Sequence, residues 1–358
     1  MGKTMIFQAL SGSKAEIANY SFSTINPNVG MVSVNDKRLF ALSEIFKPRK
    51  TIPATVEFVD ISGLVKGSSK GEGLGNQFLA HIRDVGVIAH VVRCFDDPDI
   101  IHVSGKVDPE SDIETINIEL AFADLDSLGR RRERATKSLK SQDKNELKSA
   151  QATLYALDKI SPLLENGLPA RNAVLTQDEK AAVYDCHFIT MKPQLYVCNV
   201  DETYFKSGEN AHVKAVQQRA QSEGSEAVVI AGKFEAELCG LEDEAEKLVF
   251  MEDIGLKESC LSVLIHSAYK LLGLRTFFTA GEDECRAWTI HVGDTAPLAA
   301  GVIHTDFEKG FIKAEVYTYD DIVKYGSEAK IKEAGKYRLE GKEYVVQDGD
   351  VMFFKFNV

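Results

Sequence analysis

Ala54-Thr55-Val56-Glu57-Phe58-Val59-Asp60-Ile61-Ser62-Gly63 decides the fold. The stretch is rich in β-branched and aromatic residues and reads as a strand that ends in the Asp60 carboxylate. Asp60-Ile61-Ser62-Gly63 closes it as a D-x-x-G motif. At that strand end the carboxylate can hold Mg²⁺ through water, and the Gly63 N–H can sense a γ-phosphate. Outward from this stretch, Gly75 to Asp84 reads as a helix. Val87 to Phe95 is an apolar run stopped by Asp96-Asp97-Pro98, as expected of a buried parallel strand. Strand–helix–strand order predicts a doubly wound, mainly parallel α/β sheet. The pattern resumes at Gln194-Leu195-Tyr196-Val197-Cys198-Asn199 and again at Ala227-Val228-Val229-Ile230-Ala231.

Upstream, Gly2-Lys3-Thr4 runs directly into the apolar-periodic segment 5–10. That is the second half of a phosphate-binding P-loop, G-x-x-x-x-G-K-[ST]. In that role Lys3 bridges terminal phosphate oxygens, Thr4 ligates Mg²⁺, and the helix N-terminus faces phosphate. Alone the tripeptide is weak, and a chance match would explain it. Its order with D-x-x-G carries the argument. Thr24, in Phe22-Ser23-Thr24-Ile25-Asn26-Pro27-Asn28, is placed to close on Mg²⁺ as a first switch. The glycines Gly63, Gly67, Gly71, Gly73 and Gly75 make a second, conformationally free switch.

Base recognition departs from the guanine clamp N-K-x-D. Here the run is Asn199-Val200-Asp201-Glu202. Val200 cannot cover a base as a lysine stem does, and Glu202 is one methylene longer than Asp. Adenine suits backbone groups near Val200, so the reading favours ATP over GTP. Ala231-Gly232-Lys233-Phe234-Glu235 is expected to cap the other side of the base as a loop. Leu64 stands where many GTPases orient water with Gln. His102 is the candidate catalytic residue, with a structural or surface histidine as the other reading.

The chain has 358 residues, enough for two or three domains, and a net charge of −12. Its 44% hydrophobic and 27% charged fractions exclude wholesale disorder. The six cysteines form no CxxC, so zinc ribbons and disulfide frameworks are poor readings. No apolar run reaches the ~18 residues of a membrane span. There is also no signal-peptide core, so a soluble cytoplasmic protein without membrane contact is predicted. Residues 130–150 oppose the global sign: eight Lys and Arg stand against three Asp and Glu, a local surplus of five. They lie in a Leu-, Ala-, Glu- and Lys-rich stretch from Ile113 to Ile160 that reads as a helical hairpin or antiparallel coiled coil. A solvated charged face and an RNA or ribosome contact are both open for it. Beyond Leu274, Trp288-Thr289-Ile290, Gly310 to Val316 and Tyr344-Val345-Val346 read as strands of a small β-rich domain.

Segments 22–28, 58–78, 90–95 (HVVRCF), 101–109 (IHVSGKVDP), 286–289 and 304–312 (HTDFEKGFI) together resemble the Obg-like ATPases of the YchF type. The resemblance runs essentially the whole chain. It implies a P-loop NTPase domain over 1–120 and 191–273, a coiled-coil insertion over 121–190 and a TGS domain over 274–358. It also implies hydrolysis of ATP, with GTP a poorer substrate; Mg²⁺ is the expected cofactor, and K⁺ is left open as a further cation. The implied partner is the ribosome, as 50S or 70S particle or its RNA, met through the basic arm and the TGS domain. By motif, Gly2, Lys3 and Thr4 take the phosphate and Mg²⁺ roles, Thr24 the second Mg²⁺ contact and Val200 the adenine contact; the reading of the residues themselves adds Asp60, Gly63, Asn199, Glu202, Ala231 and Gly232 to the nucleotide site. His102 is a suspected catalytic contributor. Members of that family carry about a dozen more residues at the start, a strand and G-x-P-N. For the chain as written, weak nucleotide binding and impaired folding are expected, and a catalytically impaired ribosome-binding module is the rival function. A mis-called start or a truncated sequence is the simplest account. A P-loop small-molecule kinase is a third reading, without a lid-like arginine cluster to support it.

Overall fold

The computed structural model describes residues 2–12, 28–61, 74–98 and 105–357. In chain order the elements open with α1 (Lys3–Gly12), β1 (Asn28–Ser33), α2 (Lys37–Phe46), β2 (Lys50–Ile52), β3 (Thr55–Asp60), α3 (Leu74–Asp84) and β4 (Ile88–Arg93). The helical arm follows as α4 (Pro109–Ser138), α5 (Lys144–Glu165) and the short α6 (Gln177–Ala182). Then come β5 (Gln194–Asn199), α7 (Thr203–Ser207), α8 (Ala211–Ser222), β6 (Glu226–Ile230), α9 (Gly232–Cys239), α10 (Glu244–Asp253) and α11 (Cys260–Leu271). The chain ends with β7 (Leu274–Ala280), β8 (Glu284–His291), α12 (Ala296–Ile303), α13 (Thr305–Lys309), β9 (Phe311–Thr318), α14 (Tyr319–Tyr325), α15 (Glu328–Glu333), β10 (Arg338–Glu340) and β11 (Asp350–Phe356).

Packing divides the chain into two units. The first contains α1, residues 28–29 and the described residues of 59–264, and the second those of 30–58 and 265–358. In the first unit β4, β5 and β6 form a parallel ladder in that order, with His90 beside Tyr196 and Cys198 beside Val229. Every residue of β5 is buried, as a strand covered on both faces requires. β1 pairs with β3 in a separate two-stranded ladder, of which residues 30–33 and 55–58 fall in the second unit. The single sheet expected from sequence is therefore two ladders. Among the described residues no strand pairs with the second edge of β3 or of β4.

α4 and α5 form the expected helical hairpin. Asp108 caps α4 by accepting the Ser111 N–H at 3.2 Å, and Pro109 fills the first position, where no N–H is needed. The helix thus starts before Ile113, and the boundary read at 120/121 falls inside it. Ala121, Leu128, Ala156, Leu157, Ile160 and Leu164 pack the hairpin base against Val183 and Phe188. All six cysteines are free.

A polar cluster ties this base to the sheet. Arg171 donates to Gln194 Oε1 at 2.8 Å and to Glu223 at 3.2 Å, while the Tyr196 hydroxyl donates to Glu223 at 2.7 Å. His90 Nδ1 lies 3.1 Å from Gln194 Nε2. Burial lowers the His90 imidazole from 6.5 to about 4, with Arg219 adding to the effect and Glu223 opposing it. The fold therefore disfavours the proton that the unfolded chain accepts. Stability is full above 6.5 and falls as pH drops toward about 4, by up to ~3 kcal/mol. Urea midpoints measured at neutral and acid pH should show this loss reduced in His90→Gln. An equally steep loss in the variant would refute the assignment.

The second unit is a six-stranded sheet in the order β10-β9-β11-β7-β8-β2. Phe277, Phe311, Val316 and Phe354 pack with Ala296, Ala299 and Ala300 of α12 to make its core. Residues 30–58 belong here although the sequence reading keeps 1–120 together. α2 must bury Leu39 and Leu42, which are fully enclosed. Arg38 pairs with Asp348 at 2.6 Å and with Asp36 at 2.8 Å, its guanidinium 5.3 Å from the Phe278 ring centre. β2 extends β8 in parallel, Thr51 beside Cys285. Tyr344-Val345-Val346, read from sequence as a strand, forms none. Val345 makes only an isolated bridge with Thr295, and Val346 is buried in the core.

Candidate functional site

The site gathers at the C-terminal ends of β3, β5 and β6, and the ends of parallel strands such as β5 and β6 are where open α/β sheets bind ligands. Gly2 has a left-handed φ of 83°, and its carbonyl accepts the Ile6 N–H at 3.0 Å, so the first turn of α1 starts from it. Lys3, the first residue of α1, forms an ion pair with Asp60 at the end of β3. The Asp60 side chain is only 7% exposed. The half P-loop and the D-x-x-G carboxylate therefore meet, although 57 positions separate them.

Asn199, the last residue of β5, joins the other two parts. Its Oδ1 accepts the Gly232 N–H at 2.9 Å, and its amide nitrogen lies against Gly2. A Cβ on Gly2 would overlap that nitrogen. One on Gly232 would come within 3.0 Å of both Asn199 Oδ1 and Ile6 Cγ1. The close approach of three backbones around one amide explains both glycines.

The base side differs from the sequence reading. Val200 is 3% exposed and packs with Cys94, Tyr196, Val213 and Phe234. Its N–H donates to the Ile230 carbonyl at 2.8 Å, so that donor is not available to adenine. Asp201 accepts the Thr203 N–H at 2.9 Å, and both it and Glu202, at the start of α7, are exposed. Residues 232–235 are not a loop but the first turn of α9, because Phe234, Glu235 and Leu238 all face the interior. Ala231 is buried, and only Lys233 of that turn is exposed. Thr24, Gly63, Leu64 and His102 lie outside the described residues.

Residues 1–124 match a family described as a 50S ribosome-binding GTPase, and residues 274–357 match the C-terminal domain of YchF GTPases, described as a protein of unknown function. A protein named ribosome-binding ATPase YchF from Haemophilus ducreyi is 53% identical over 358 residues, all of this chain and 97% of that one. Its counterpart of the same name in Bacillus subtilis is 51% identical, again over all of this chain and 97% of the relative. The solved structure of the Schizosaccharomyces pombe YchF GTPase superposes with a TM-score of 0.87 at 36% identity, covering 99% of this chain and 95% of that one.

This chain belongs to the YchF family of P-loop GTPases.

The YchF-type fold so established is a P-loop domain with a helical insertion and a C-terminal domain. Family members of this class generally use Mg²⁺, and the donors present fit it. A hydroxyl at Thr4 and a carboxylate at Asp60 are hard oxygen ligands, and Mg²⁺ takes only one or two of these beside phosphate and water. Among the described residues no cluster of three or more His, Cys, Asp and Glu could hold a metal. No described helix is long and apolar enough to cross a membrane.

Two residues that support the YchF site were missed from sequence. Glu235 is fully buried and accepts the Ser259 hydroxyl at 2.8 Å and the Cys260 N–H at 2.5 Å, so it caps α11 from inside α9. Burial pushes its carboxyl up, against those two donors. Arg93 is 2% exposed and donates to the carbonyls of Phe95 and Asp97 at 3.0 and 3.2 Å, shaping the turn after β4. A charge at the end of an apolar run was the available signal for Arg93. Glu235 gave none, because its partners are 24 and 25 positions away.

Proposed function

We propose that this chain is a cytoplasmic, ribosome-associated nucleoside triphosphatase that hydrolyses ATP, and GTP less well, as a switch. The reading rests on one observation: Lys3 is paired with Asp60. A lysine held by a carboxylate exchanges that partner for phosphate oxygens when a triphosphate enters, and the carboxylate is released toward the cation side. Thr4 and, through water, Asp60 would hold Mg²⁺, which would supply charge neutralisation at the phosphates. Thr24 and Gly63 are proposed to close on the γ-phosphate edge, His102 to contribute to the attack of water, and K⁺ to be a further cation. Asn199 holds the phosphate and base sides in register through Gly2 and Gly232.

The preference for ATP is supported by what stands in the base loop. Val200 replaces the lysine of the guanine clamp, and Glu202 is longer than its Asp. The ribosome as partner is supported by the names of the relatives and by the basic arm at 130–150. Full-length protein with Mg²⁺ should release phosphate from ATP and bind ATP more tightly than GTP. GTP affinity more than about tenfold above ATP affinity would overturn the base preference. Absence of phosphate release from either nucleotide would overturn the hydrolase.

A further inference from the structure

α10 presents three consecutive apolar side chains to solvent: Leu248 is 56% exposed, Val249 65% and Phe250 49%. The helix is anchored on its other face, where Met251 and, just beyond the helix, Ile254 pack into the core of the first unit. Its outward face carries no such partner among the described residues. Exposed large apolar side chains are ordinary one at a time, but a contiguous group ringed by polar residues marks an interaction surface. The ring here is predominantly acidic, with Lys247 beside Leu248 and Lys206 paired with Asp253 at 3.4 Å as its cations. Glu246, Glu252 and Asp253 flank the group and are exposed, and residues 242–258 hold seven acids against two lysines.

That charge decides what the face can meet. Phosphate is repelled, so the face does not meet RNA. A second copy through a two-fold axis would set the same acidic patch against itself, which is also repulsive. A polypeptide with Lys and Arg around apolar anchors satisfies both features at once. We propose that the outer face of α10 docks a basic protein segment of the ribosome, and not its RNA. The proposal rests on the ribosome reading above and adds to it a division of labour. The basic arm faces nucleic acid, and the acid-rimmed face of α10 meets protein.

The test is co-sedimentation of the full chain with purified 70S ribosomes, and separately with protein-free ribosomal RNA. Leu248→Ser/Val249→Ser should weaken ribosome binding about tenfold and leave ATP binding unchanged. Glu246→Lys/Glu252→Lys is the sharper variant. Added positive charge tightens any contact with RNA, so a loss of ribosome binding together with a gain on bare RNA is expected. Unchanged or tighter ribosome binding in both variants overturns the α10 assignment and leaves the ribosome reading standing. A parent chain that stays in the supernatant with ribosomes overturns both.

Discussion

Lys3→Ala should lower nucleotide turnover by about 100-fold or more, measured as phosphate release at saturating ATP. Lys3 is the single described cation in contact with the D-x-x-G carboxylate. Removing it takes away a preorganised charge at the place where phosphate charge accumulates, and the effect on rate exceeds the effect on fold. It also leaves the Asp60 carboxylate, 7% exposed, without its ion-pair partner and facing an anionic ligand. Lys3→Arg separates the two contributions. It keeps the charge but replaces a compact ammonium by a planar fork, so it should retain the fold and recover only part of the activity. Turnover of Lys3→Ala within about threefold of the parent would remove Lys3 from the phosphate site.

Asp124→Ala should destabilise the first unit by about 3–5 kcal/mol, read from the urea midpoint at constant slope. Asp124 is completely enclosed within α4. Its carboxylate accepts the Ile189 N–H at 2.9 Å, the Thr190 N–H at 2.7 Å and the Thr190 hydroxyl at 2.7 Å. The alanine variant orphans all three donors and leaves a cavity, and buried donors cannot turn to water for replacement. Burial pushes the Asp124 carboxyl up, and those hydrogen bonds oppose it. Asp124→Asn keeps the shape and one acceptor, so its loss should be about half as large. Because Ile189 and Thr190 lead into β5, which ends at Asn199, the damage should extend to nucleotide affinity. A loss below about 1 kcal/mol in Asp124→Ala would show the contacts to be dispensable.

Much of the fold around the candidate site was legible because its signals are local. The run 194–199 is apolar, bounded and buried, and β5 has those same limits. The strand ending at Asp60 and the helix beginning at Lys3 follow from β-branched density and from Gly-Lys-Thr before an apolar period. The hairpin was legible from its near lack of glycine and its spacing of leucines. The misreadings share a cause. Residues 231–235 looked like a loop because Gly232 and Lys233 are polar punctuation. Tertiary burial of Phe234 and Glu235 makes them a helical turn. Tyr344-Val345-Val346 has strand composition, yet Val346 is taken by the core and no ladder runs through it. Adenine was expected to meet backbone groups near Val200, and a long-range bond to Ile230 uses the Val200 N–H itself.

By itself, the sequence determined the family, the order of strand ends that carry chemistry, and the sign of charge along the arm. These depend on residue types at short spacing, which the chain displays directly. Only the tertiary structure decided that Lys3 finds Asp60, that Asn199 sits between Gly2 and Gly232, and that residues 30–58 join the C-terminal sheet through Arg38 and β2. Each is a contact between residues far apart in the chain. Its existence depends on what else competes for the same buried polar groups and apolar faces, and local spacing carries no trace of that competition.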